Sequence, residues 1–85
     1  MPFDKNKQQA FQAAQQAFVQ LQDAMDNLHP EEADYGRHHK HAEQELNEAV
    51  QVIQKAYQSA SEHQKQQLRL YEEELSRYQQ ELQDQ

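Results

Sequence analysis

The chain has no cysteine and no threonine, one glycine and two prolines in 85 residues. Without cysteine there is no disulfide framework, no thiolate nucleophile and no thiolate metal ligand. A single glycine, Gly36, leaves nothing from which to build a phosphate-cradling loop. The β-branched residues are only Val19, Val50, Val52 and Ile53, so strands have little to draw on. The longest apolar run is Ala17-Phe18-Val19, far short of a bilayer span. Positive charge is also scarce. Eight Lys and Arg stand against 15 Asp and Glu, a net charge of −7. That balance disfavours nucleic acid, whose binding rests on clustered basic side chains, and it disfavours anionic membranes. The opening MPFDKNKQQ lacks the apolar core of a secretory signal. Together these features lead to the expectation of a cytoplasmic protein.

Glutamine is abundant, with 18 copies, and it forms helices well without adding charge. The apolar residues fall in three stripes. Phe11, Ala14, Phe18, Leu21, Met25 and Leu28 are spaced 3, 4, 3, 4, 3, the seam of a helix packed along another. Tyr35, His39, Ala42, Leu46, Ala49, Ile53, Ala56 and Ala60 continue the rule, and so do Leu68, Tyr71, Leu75, Tyr78 and Leu82. Ala10, Ala17 and Ala24 repeat every seven residues beside the first seam, and Ala42, Ala49 and Ala56 repeat along the second. These small side chains predict that the first two helices pack closely and antiparallel.

The expected architecture is all-α, an antiparallel up-down-up three-helix bundle within one domain spanning residues 1–85. Its helices are placed at about 5–28, 34–58 and 61–83, with Asp4 and Asp34 as N-caps. His29-Pro30 ends the first helix, because a residue before proline avoids helical angles. The junction of the second and third is less plainly marked. No glycine or proline follows Gly36, but two capping boxes are present, Ser59 with Glu62 and Ser61 with Gln64. The stripe also slips by one residue there. The alternative is a helical hairpin with one helix of some fifty residues, which would have to dimerise to bury its far half.

The stretch GRHHKH, Gly36 to His41, holds three of the five histidines. On a helix His38, His41 and Glu45 share a face, and two imidazoles with a carboxylate can hold a divalent ion. The plainer reading is a solvated face, since nothing supplies a general base or a pocket. His39 lies on the seam itself. The cluster also bears on where the second helix begins. A start at Pro30 would put Glu31, Glu32 and Asp34 in the first turn, as the helix dipole favours. A start near Asp34 puts Arg37, His38 and Lys40 there instead.

No catalytic set is discernible. Ser59, Ser61 and Ser76 have no His and Asp partners nearby, and no small-molecule substrate or cofactor is implied. The leading expectation is a non-enzymatic bundle acting on a protein partner or on itself. Tyr57, Leu70, Tyr71 and Tyr78 form its candidate contact surface, because Leu70 lies off the third seam and aromatic residues are enriched in interfaces. The alternative is a divalent-metal-binding module through the histidine cluster.

The segment from Ala42 to Gln83, AEQELNEAVQVIQKAYQSASEHQKQQLRLYEEELSRYQQELQ, resembles a family of short uncharacterised YtzC-like proteins of Bacillus and other Firmicutes. The shared features are an AxxxLxEAVxxI helix, a serine-bearing break before a QxxQL start, and a final leucine-rich amphipathic helix. The resemblance implies a cytoplasmic bacterial protein with no assigned activity, and it carries over no functional residues.

Overall fold

The computed structural model describes the backbone of residues 3–84 and the side chains of residues 8–84. It is an antiparallel three-helix bundle: α1 (Phe3–Asp26), α2 (Tyr35–Tyr57) and α3 (Glu62–Asp84). The long-hairpin alternative is thereby overturned, since the chain turns between Gln58 and Ser61. The physical reason is the second capping box. The Ser61 N–H donates to Gln64 Oε1 and the Gln64 N–H donates to Ser61 Oγ, both at 3.1 Å. Each residue satisfies an amide that the start of a helix leaves without a partner. The Ser59–Glu62 box is not used for this, and Glu62 instead approaches Lys65 at 3.8 Å on the surface.

The other helix ends differ from expectation by one or two residues. The chain is already helical at Phe3, so Asp4 lies inside α1 rather than at its N-cap, and its side chain lies outside the described residues. At its far end α1 stops at Asp26 rather than Leu28. The Leu28 N–H reaches back only three residues, to the Met25 carbonyl at 3.1 Å, a tightening that relieves the approach to Pro30. Two more three-residue turns follow, Glu32 to His29 and Tyr35 to Glu32, and they reverse the chain without a glycine. Asp34 stands at the N-cap position of α2, but its side chain makes no capping hydrogen bond. Its backbone, at φ −88° and ψ 9°, lies outside the extended region in which a cap side chain reaches the next amides.

The start near Asp34 therefore prevails over the start at Pro30, and the first turn of α2 contains no acidic residue to complement the dipole. Gly36 lies inside that turn. A Cβ built on it meets nothing within 4 Å, and its φ is not positive. The glycine thus carries its entropic cost without a conformational need. Gly36→Ala is expected to stabilise the protein by about 0.5–1 kcal/mol. A urea titration followed by helix circular dichroism measures it, and an unchanged or lowered midpoint would contradict this placement.

The bundle is a rod, 51 × 20 × 15 Å, with a radius of gyration of 14.4 Å, against about 12 Å for a compact domain of this length. The predicted alanines explain its asymmetry. Ala17 and Ala24 on α1 and Ala42, Ala49 and Ala56 on α2 are buried, as is the seam residue Ala14, while Ala10 is only partly buried, and these two helices have the most extensive close backbone approach of the three pairs. Small side chains permit a short interaxial distance. Helix α3 brings Leu68, Leu75 and Leu82 to the core and stands farther from α1. Rings fill that wider gap. Phe18 stacks on Tyr71 with centroids 4.6 Å apart, and Tyr78 lies 6.3 Å from the same ring. Leu21, Ile53 and Leu68, one from each helix, are the largest fully buried side chains.

Candidate functional site

The histidines of GRHHKH separate once the helix forms. His39 turns inward along the seam and ties α2 to the last turn of α3. Its Nε2 lies 3.0 Å from the Leu82 carbonyl and its Nδ1 lies 3.2 Å from Glu43 Oε1. Both partners are acceptors. A neutral imidazole has one N–H to donate, so both contacts are served together only when the ring carries two protons. The Tyr35 ring packs beside it, with centroids 5.7 Å apart. His39 is thus a latch at the end of the bundle where α2 begins and α3 finishes.

His41 and Glu45 do meet, with Nε2 and Oε1 3.9 Å apart. His38 is half-buried on the same helix. Among the described residues, no group of three or more His, Asp or Glu side chains is gathered at metal-binding distances. Glu45 is mostly buried, and its Oε2 has no hydrogen-bond partner in the protein.

The four residues named for interaction have unequal positions. Leu70 is 57 % exposed on the outer side of α3. The three tyrosines are half-buried and serve the bundle. Tyr71 and Tyr78 pack against Phe18, and the Tyr57 hydroxyl donates to Glu72 Oε1 at 2.9 Å, joining α2 to α3. Val19 on α1, 53 % exposed, is the second large apolar side chain left outside, and the sequence reading did not single it out. Its signal was present, because it stands off the first seam. On the surface of α3, Arg77 donates to Glu74 Oε1 at 2.7 Å.

Burial of the phenol, then its bond to the Glu72 carboxylate, raises the Tyr57 pKa above the ordinary value near 10. A raised folded value means that the protonated phenol is favoured by folding. Its contribution is full below pH 10 and is lost as pH rises through the folded value. Wild-type stability is therefore expected to fall more steeply above pH 10 than that of Tyr57→Phe. Urea midpoints between pH 9 and 11 would show it, and parallel slopes would refute the bond.

The grooves on the surface are open. One runs between the start of α1 and the end of α2, lined by Ala10, Ala13, Val52 and Lys55. Another lies along α1 itself, lined by Gln12, Gln15, Gln16 and Val19. Among the described residues, no helix is long and apolar enough to cross a membrane. No protein-family model matches this chain, and no curated protein or solved structure is significantly similar to it.

Proposed function

We propose that the protein is a non-enzymatic helical module that acts through protein–protein contact. The observation that carries this reading is the placement of Leu70. A 57 % exposed leucine sits on a helix whose other exposed residues are all polar or charged. An apolar side chain set within a polar rim follows the make-up of protein interfaces. The surrounding charges, Arg69, Glu73 and Glu74, supply a polar rim that sets orientation more than affinity. The small size of the patch fits a transient partner better than a permanent one. A cytoplasmic bacterial setting and kinship with the YtzC-like proteins accord with this reading.

The test is a tagged-protein capture followed by crosslinking, comparing the native chain with Leu70→Glu. The variant is expected to lose captured partners while keeping the native melting temperature, because Leu70 supports no core contact. Equal capture by both proteins would remove Leu70 from the contact, and no saturable partner at all would defeat the reading. Calorimetry with Zn²⁺ tests the metal-binding alternative, for which the His41–Glu45 pair is the one supporting contact. Binding that survives His41→Ala would dismiss it.

A further inference from the structure

Every charged side chain of the protein lies outside one stretch. From Gln8 to Gln22 fifteen consecutive residues carry no charge, and no other uncharged run exceeds six. The inner side of this stretch is the alanine and phenylalanine seam. Its outer side is Gln8, Gln12, Gln15, Gln16, Val19 and Gln20, all exposed. Gln12, Gln15, Gln16 and Val19 line the shallow groove on α1. Positions 8, 12, 15 and 19 are spaced 4, 3, 4, so α1 carries a second stripe, about 120° round the helix from the seam that builds the bundle.

We infer that this face of α1 receives the same face of a second copy of the chain, with the two helices antiparallel. The inference rests on the protein–protein reading above and names one partner and one surface for it. Charge selects the partner. Two molecules of net charge −7 repel over most of their surfaces, and the outer side of α1 is a long face on which they meet without opposing ions. Charge also selects the direction. In sequence the stretch is preceded by Asp4, Lys5 and Lys7, a net +1, and followed by Asp23 and Asp26, a net −2. Antiparallel pairing brings the basic flank of one helix to the acidic flank of the other, whereas parallel pairing sets like against like.

The register follows from the composition. A two-fold axis between Gln15 and Gln16 places Gln12 of one copy opposite Val19 of the other, and Gln15 opposite Gln16. Glutamine amides both donate and accept, so facing pairs satisfy one another without desolvating an ion. The methylenes of Gln12 cover Val19. The contact is limited to one face of a 24-residue helix from each copy, about 36 Å long, and the dimer is transient.

The absence of cysteine makes the test clean. Gln12→Cys and Val19→Cys are purified separately, then oxidised with a glutathione couple alone and as a mixture. The mixture is expected to yield several-fold more disulfide dimer than either variant alone. Homodimers from each variant alone, with no mixed disulfide between the two variants in the mixture, would show parallel pairing and overturn the inference. Sedimentation equilibrium of the native chain and of Val19→Glu completes it, with tenfold or greater weakening expected for the variant, since it places like charges near the axis. A dimer that persists in Val19→Glu would overturn this surface while leaving protein–protein contact standing. A native chain that stays monomeric would overturn self-association alone, because partner capture through Leu70 is read independently.

Discussion

Leu21→Ala is expected to lower the free energy of unfolding by about 3–4 kcal/mol, with a fall in melting temperature of more than about 10 °C. Leu21 is fully buried on α1, and alanines of both close-packed helices are buried in the same core. An alanine side chain has no atoms with which to follow a retreating neighbour. The space left by the leucine therefore stays open, and the cost lies toward the upper part of the range for such changes. The effect is large against the whole, since a domain of this length has only about 4–13 kcal/mol of stability. Urea unfolding monitored by helix circular dichroism measures it. Val19→Ala, on the exposed face of the same helix, is the control and should shift stability by no more than about 0.5 kcal/mol. A Leu21→Ala loss below about 1 kcal/mol would mean that the seam is not packed as described.

The three seams were legible because a heptad spacing has one geometric consequence: residues at 3, 4, 3 lie on one side of a helix. The buried residues of α2, namely Ala42, Leu46, Ala49, Ile53 and Ala56, are five consecutive members of the stripe read from spacing. The break between α2 and α3 was legible as well, because Ser61 and Gln64 form a local motif whose partners are three residues apart. What could not be read were contacts between distant positions. The His39–Leu82 latch spans 43 residues and the Tyr57–Glu72 bond spans 15, and neither spacing carries a signal. His39 was recognised as a seam residue, but its partner depends on how far α3 slides along α2. The tyrosines were misleading in another way. Composition marks an aromatic side chain as interface material without saying which interface, and Tyr71 and Tyr78 turned out to serve the internal one against Phe18. Asp34 failed as a side-chain cap for a local reason, the backbone angles imposed by the consecutive turns that precede it.

The second large effect runs in the opposite direction of size. Ala49→Leu adds three carbons at a position that is fully buried on α2, the helix that packs most extensively against α1. Helix propensity barely distinguishes the two residues, and hydrophobic transfer favours leucine. A ledger of propensity and burial alone would therefore rate the change as neutral or stabilising. Packing decides otherwise. The added atoms meet the backbone of α1, which cannot change rotamer, so the two helices must separate along their length or the leucine must leave its preferred geometry. The expected cost is about 2–3 kcal/mol. Separation would also draw Ala14, Ala17 and Ala24 away from Ala42 and Ala56, exposing apolar surface at several levels of the rod at once. Dye binding to that surface should therefore rise along with the loss in urea midpoint. Gln51→Leu, exposed on the same helix, makes a similar apolar addition without the steric conflict and is expected to leave the midpoint nearly unchanged. Equal behaviour of the two variants would show that the alanine repeat is a matter of helix propensity. A loss confined to Ala49→Leu would show that the repeat sets the distance between α1 and α2, and so the spacing that leaves α3 to be held by leucines and rings.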